Sequence, residues 1–458
     1  MVIFSHGYGN TPDNAIDRIK SAAQETSKAP LNDGDLFFVG YRWPSEKLFM
    51  SWSGTLTSAH PILKLAFLIG LLSLIVGIAI VLLWHRSGLD YFGWGLVTFL
   101  FGYALLRSSV YYRDAYRAVN YGSLDLVEFV RRLDDELYTT LGLRDRINLS
   151  FVGHSMGALV VTTSVRILSD LFEEGSIRAV TAKPKPPEDT SAKEPTTDSD
   201  LEPLQDLGEY RAPQRSERPA DATPSGAIGH CLCLLRLVLV SPDIPALALL
   251  SGRANFLGPS IRRCREAYLF SNGGDVVVGL ISISANYLGM PSRLEKNAVR
   301  LADVQVRTKA PGLYRMPSNL NKSLRIGPTT LAGLEKRCGG VATPEDQVAR
   351  LFTYIDCTEF TDRDGKRRLS NLRGRQKPNL WRQILGLISY VAFYGARQLG
   401  KDCHSGYFDD PDTNKLIFGS AGIGLRALWK HLPDASCATS VDWVEQRGFR
   451  IVPGETLS

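Results

Sequence analysis

The chain has 458 residues, 44% of them apolar, 22% charged and 9% aromatic, with a formal charge of +6 from 53 basic and 47 acidic side chains. These averages exclude a collagen-like repeat, a disulfide knot and wholesale disorder, and so small an excess charge does not point to nucleic acid. The mean hydropathy of −0.07 describes an ordinary globular chain, although an average conceals short apolar blocks. Seven cysteines form an odd set with no C-x-x-C pair, which favours a reducing compartment. Cys231 and Cys233 share a face if their segment is a strand, and they read as buried thiols rather than metal ligands. No basic n-region with an apolar h-region opens the chain, so no secretory signal is expected.

In chain order, residues 2–4 form a short apolar strand, 12–28 have helical spacing, and 36–41 (LFFVGY) are strand-like. Residues 65–84 then run for twenty positions without a charge, about 30 Å as a helix, the thickness of a bilayer core. A second apolar run, 91–106, reaches only about 24 Å, with Arg107 and Tyr111-Tyr112 placed to extend it by snorkelling. The two runs predict a transmembrane hairpin. Lys47, Lys64, Arg107, Arg113 and Arg117 on its flanks place both flanks in the cytoplasm by the positive-inside rule. The expected location is therefore a two-pass membrane protein whose main domain faces the cytoplasm.

A long amphipathic helix is predicted over 111–140, a strand over 147–152 and a helix over 157–172. Residues 182–227 are rich in Pro, Ser, Thr and charge and bury too little to offset their ordering entropy, so they read as a disordered insertion. Three further apolar runs of strand length follow at 234–240, 267–271 and 351–357. Strands alternating with helices predict an α/β fold with a mainly parallel sheet, in which ligands bind at the carboxyl ends of the strands. Residues 363–377 carry seven Lys/Arg against one Asp, and 380–399 is a mostly apolar helix. Together they suit an interfacial lid or docking element contacting anionic headgroups.

Strand 147–152 ends in Gly153-His154-Ser155-Met156-Gly157, and a helix follows. G-x-S-x-G between a strand and a helix is a nucleophile elbow, in which a sharp turn lifts a serine hydroxyl above the sheet. Here the chain resembles an α/β-hydrolase of the esterase/lipase type, over nearly all of its length outside the hairpin and the insertion. The first strand ends in Ser5-His6-Gly7-Tyr8-Gly9, similar to the H-G loop of that family. The resemblance implies an oxyanion hole built from the backbone N–H groups of Met156 and of Gly7 or Tyr8, which stabilise charge developing on an acyl oxygen. His6 and His154 read as structural groups. The family has two strands before the H-G strand, whereas Met1 stands directly at it, which leaves the edge of the expected sheet open.

A serine hydroxyl needs a base, and the base an orienting acid; the resemblance implies the order Ser, acid, His. Strand 267–271 runs into Asn272-Gly273-Gly274-Asp275, which delivers Asp275 where the family's usual acid lies. Asp243, in Ser241-Pro242-Asp243 after the preceding strand, is the alternative acid. Of seven histidines, His60 and His85 flank the first apolar run and His230 precedes both acids, leaving His404 and His431. His404 sits in a loop resembling the one that carries the catalytic histidine, while His431 reads as a cation closing a helix. The expected site is therefore Ser155, Asp275 and His404.

The organisation predicted is one hydrolase domain interrupted twice. Residues 1–60 carry the oxyanion loop, 61–112 the membrane hairpin, 113–181 the elbow, 182–227 the insertion and 228–458 the acid, basic loop, lid helix and histidine. The expected activity is a membrane-anchored serine hydrolase cleaving a carboxylic ester, such as a lipid, through an acyl-enzyme. Acyl transfer or thioester cleavage by the same three residues, or a non-catalytic membrane scaffold, are the alternatives. The absence of G-x-x-x-x-G-K-[ST] and H-E-x-x-H leaves no cofactor or metal expected. The partners expected are the acyl ester and the bilayer, with no nucleic acid.

Overall fold

The computed structural model describes residues 1–7, 12–27, 36–43, 61–84, 88–172, 201–208, 227–250, 257–282, 299–327, 329–337, 345–370, 389, 402–434 and 437–455. The described strands begin with β1 (Val2–Ser5), β2 (Phe38–Tyr41), β3 (Ile147–His154), β4 (Ala227–Ile228), β5 (Leu232–Val240) and β6 (Glu266–Ser271). They continue with β7 (Val304–Val306), β8 (Gly312–Leu313), β9 (Leu324–Ile326), β10 (Thr329–Thr330), β11 (Phe352–Asp356) and β12 (Arg450–Val452). Nine make one sheet, in the order β2-β1-β3-β5-β6-β11-β12-β8, with β4 paired to β5 beside this path. From β2 to β11 every pairing along the path is parallel; β12 runs antiparallel to β11. A parallel sheet is covered on both faces, which is why its strands read as unbroken apolar runs. β1, most of β3 and β6, and all of β11 are accordingly buried. A small antiparallel sheet, β10-β9-β7, flanks the large one.

The expected α/β architecture with a mainly parallel sheet is present. β12 and β8 escaped the sequence pattern because they are very short. Arg450, which opens β12, is itself buried against Glu359 (2.9 Å) and Thr308 (2.7 Å), so no apolar run announces the strand. Cys231 lies in the turn before β5 and only Cys233 is within the strand, so the two do not share a strand face.

The longer helices are α1 (Pro12–Ser27), α2 (Pro61–Trp84), α3 (Gly88–Arg117), α4 (Ser123–Thr139), α5 (Met156–Phe172) and α6 (Pro411–Gly422). The two-pass membrane location is not upheld: among the described residues no helix is long and apolar enough to cross a membrane. The two apolar runs form instead a helix-on-helix hairpin. A Cβ on Gly70 would meet the backbone of Thr98 and Phe99 at about 2.9 Å, and one on Gly95 would meet Ser73 and Leu74 at 2.6–2.9 Å. That crossed pairing makes α2 and α3 antiparallel and brings their backbones together at small residues. The second run is part of a longer helix, since α3 continues from it without a break into polar sequence. There Asp114 is buried beside Arg113 (2.8 Å). A π-helical turn, Ala118–Gly122, separates α3 from α4, where the sequence predicted one continuous helix. The Gly122 carbonyl accepts the Tyr41 hydroxyl (2.6 Å), and Trp43 packs against its Cα.

Part of the expected disordered insertion is built into the fold. Leu201, Leu204 and Leu207 are buried, the Leu204 N–H donates to the Leu313 carbonyl (2.8 Å) and the Arg315 N–H donates to Glu202 (2.8 Å). This short segment covers the β8 edge of the sheet, which would otherwise present unpaired backbone groups. Composition averaged over the whole insertion masked the three leucines at every third position. In the basic loop, Arg363 pairs with Asp412 (3.0 Å) and Arg368 with Asp362 (2.5 Å). Its remainder, 371–377, and the expected lid helix 380–399, apart from 389, lie outside the described residues.

Candidate active site

Because β1, β3, β5 and β6 run parallel, the loops that leave them open on the same edge of the sheet. Ser155 stands between the last residue of β3 and the first of α5. Its φ is +54°, a left-handed conformation unfavourable for a residue bearing a Cβ. Neighbouring backbone holds it there. The Ser155 N–H donates to Val240 (2.9 Å), and its carbonyl accepts from Ala158 (3.1 Å) and Asp243 (3.2 Å). Both flanking glycines are required by close approach. A Cβ on Gly153 would lie 2.6 Å from the Ala158 Cα, and one on Gly157 would lie 2.4 Å from the carbonyl oxygens of Ser5 and His6.

The loop after β1 packs directly on this turn. A Cβ on Gly7 would lie 2.7 Å from the Ser155 Cβ and 2.8 Å from His154 Nδ1. Met156 opens α5, so its N–H belongs to a helix N-terminus, where backbone donors and the helix dipole favour negative charge. Tyr8, the other expected donor, lies outside the described residues. His6 stacks on Trp43 with ring centroids 5.5 Å apart, donates from Nδ1 to the Gly7 carbonyl (2.7 Å), and its own carbonyl accepts the Trp43 indole N–H (2.8 Å). Burial lowers its pKa to about 4, against the opposing hydrogen bond to Gly7. His154, whose pKa burial holds well below the ordinary value, donates from Nε2 to the His404 carbonyl (3.0 Å). Both are neutral structural groups near pH 7.

The three residues expected to do the chemistry converge. The Ser155 hydroxyl lies 2.8 Å from His404 Nε2, and His404 Nδ1 lies 2.7 Å from Asp275 Oδ2. They are 3%, 6% and 2% exposed for Ser155, His404 and Asp275. Asp275 Oδ1 accepts the N–H groups of Val277 (3.1 Å) and Val278 (3.2 Å). The histidine loop is shaped by Asp402, whose Oδ1 accepts the N–H groups of His404 (3.1 Å) and Ser405 (2.7 Å). It is joined to the acid loop by the Asn272 amide, which donates to Cys403 (2.9 Å) and Leu369 (3.2 Å). Burial disfavours the imidazolium form of His404, but the charge and hydrogen bond of Asp275, with Asp402, outweigh it and raise the pKa.

The alternative acid is engaged elsewhere. Asp243 accepts the Tyr111 hydroxyl (2.5 Å) and pairs with Arg300 (3.1 Å), both partners being buried. His431 follows a short helix, Leu425–Trp429, and its carbonyl accepts from Lys415 Nζ (2.5 Å). Several residues of the site carry no signal in the sequence. Tyr111 and Arg300 are far along the chain from Asp243. Asp303, buried and pushed well above the ordinary carboxyl range by that burial and then by the Asp275 charge, belongs to no motif. Ser241 follows β5 with φ +43°; its hydroxyl donates to Asp275 Oδ2 and lies 3.2 Å from His404 Nδ1. Only its place after a strand, on the edge where ligands bind, could have marked it.

Away from this edge, Asp134, Asp135 and His230 are grouped closely enough for a metal. The Asp134 carboxylate already accepts the N–H groups of His230 (2.6 Å), Cys231 (2.8 Å) and Leu232 (2.8 Å), which anchors the turn into β5. No protein-family model, curated protein or solved structure matches the chain, so a functional assignment rests on the site's own chemistry.

Proposed function

We propose that the protein is a serine hydrolase of the α/β-hydrolase type that cleaves carboxylic esters. The observation that carries the proposal is His404 lying between the hydroxyl of a strained, buried Ser155 and the carboxylate of Asp275. Ser155 Oγ attacks the acyl carbon as His404 Nε2 takes its proton. Asp275 holds the Nδ1–H tautomer and stabilises the imidazolium that forms. The oxygen that becomes negative is bound by the Met156 N–H and the loop at Gly7, which need no reorganisation as the charge appears. His404 then gives its proton to the departing alkoxide, leaving an acyl-Ser155. Water, activated by the same imidazole, cleaves that ester and restores the hydroxyl. Acceptance of an alcohol or amine in place of water converts the same cycle to acyl transfer.

The test is labelling by a fluorophosphonate probe together with hydrolysis of p-nitrophenyl esters of graded chain length. Ser155→Ala is expected to abolish labelling and lower turnover by roughly 10⁴- to 10⁶-fold. Labelling or turnover that survives this substitution refutes the assignment, and a wild-type protein with neither is a hydrolase-like scaffold.

A further inference from the structure

We infer that Ser241 is a positioning residue for this chemistry, fixing the tautomer and orientation of His404 through its hydroxyl. The inference deepens the hydrolase reading and rests on it for its kinetic consequence. Among the described residues, only Ser155 and Ser241 adopt a positive φ without being glycine. Each is locked by the strand beside it, Ser155 N–H donating to Val240 and Ser241 N–H to Phe270, both at 2.9 Å. A turn of this kind is met without strain by glycine; what serine adds is one hydroxyl, completely buried.

That hydroxyl has one proton, and its geometry assigns the proton to Asp275 Oδ2. Toward His404 Nδ1, 3.2 Å away, Ser241 therefore presents only a lone pair. A lone pair there is compatible with an Nδ1–H and opposed to a bare Nδ1. The tautomer that leaves Nε2 free to receive the Ser155 proton is thus selected twice, by the carboxylate and by the hydroxyl. Two acceptors on one N–H also resist rotation of the ring. Donation to Oδ2 in turn moderates the carboxylate that holds the imidazolium proton.

The other groups facing this pair are common to the wild type and the Ser241 variants. Asp243 and Asp303 lie on the side of Arg300, Asp402 and Cys403 are in the histidine loop, and His154 packs against the ring with centroids 5.0 Å apart. A change in the titration of His404 therefore reports the hydroxyl.

The test compares Ser241→Gly, which removes the hydroxyl and relieves the backbone, with Ser241→Ala, which removes the hydroxyl and keeps the strain. Both are expected to lose about tenfold or more in kcat, as for a hydrogen bond to a charged group, with KM little changed. The acid limb of kcat/KM should shift in both, because the hydroxyl accepts from the Nδ1–H and also moderates the Asp275 carboxylate. NMR of ¹⁵N-histidine-labelled full-length protein, with His404→Gln for assignment, reads the tautomer and titration of His404 without substrate. The Nδ1–H form should be uniform in the wild type and mixed in Ser241→Gly. An unchanged tautomer, titration and kcat in a folded Ser241→Gly overturns the inference. Absence of Ser155-dependent turnover in the wild type overturns the hydrolase reading instead, and the NMR comparison still decides the role of Ser241.

Discussion

Substituting Gly7 by alanine probes how closely the proposed oxyanion loop must sit on Ser155, the proposed nucleophile. Gly7 is not among the residues with positive φ, so its backbone suits alanine and only the contact opposes the change. The added methyl carbon would lie 2.7 Å from the Ser155 Cβ, 2.8 Å from His154 Nδ1 and 3.1 Å from the His154 carbonyl. Ordinary contact begins near 3.4 Å, so the loop must retreat by about 0.7 Å, the difference between 3.4 and 2.7, because the buried elbow it meets is close-packed. A retreat of that size takes an oxyanion donor at about 2.9 Å out to about 3.6 Å, beyond hydrogen-bonding range. Loss of one such donor lowers kcat by about 10²- to 10³-fold, and the overpacking costs about 1–3 kcal/mol of stability. Steady-state hydrolysis of a p-nitrophenyl ester and a thermal melt measure the two effects. A Gly7→Ala protein with kcat within threefold of wild type would refute the reasoning, because the loop would then not be positioned by this contact.

Two further expectations separate the roles of the buried acids and the base. Asp275→Asn should lower kcat by about 10⁴-fold with little change in KM. Asp243→Asn should instead leave kcat within a few-fold of wild type and destabilise the fold by about 3 kcal/mol, since it breaks the buried pair with Arg300; urea unfolding and the same ester assay distinguish them. The third concerns pH. His404 must be neutral to accept the Ser155 proton, and its pKa is raised above the ordinary 6.5 despite burial. Thus kcat/KM should fall as pH decreases, with its midpoint above 6.5. The same raised pKa contributes stability below the unfolded-state value, and that contribution is lost as pH rises through the folded-state value. Activity and this stability contribution therefore run in opposite directions, and a pH–rate profile centred below the ordinary imidazole value would contradict the electrostatics described.

The elements most legible in the sequence were those whose signal is local. An apolar strand, a G-x-S-x-G and a following helix lie within thirty consecutive residues, 147–172; Gly153 is demanded by Ala158 and Val161 of that same segment, whereas Gly157 is demanded by the Ser5 and His6 carbonyls of the neighbouring strand and loop. Asp275 and His404 were singled out by loops that follow strands and resemble those of the hydrolase family; His404 reaches Ser155, and Asp275 reaches His404. Where averages over a run replaced position, the sequence misled. Twenty uncharged residues predicted a membrane span, yet no described helix is long and apolar enough to cross one, and Gly70 and Gly95 bring α2 and α3 together. A polar composition predicted disorder where Leu201, Leu204 and Leu207 bury against the sheet edge.

By itself, then, the sequence determined the mainly parallel α/β layering, because apolar periodicity and tight turns act over a few residues, while Ser155, Asp275 and His404 were singled out through the family resemblance. Only the tertiary structure decided between the two acids. It placed Tyr111 and Arg300 on Asp243 and left Asp275 for His404, a choice made by contacts across more than a hundred residues of chain. It also put the Ser241 hydroxyl against that pair, since the direction of a side chain at the end of one strand depends on the strands beside it.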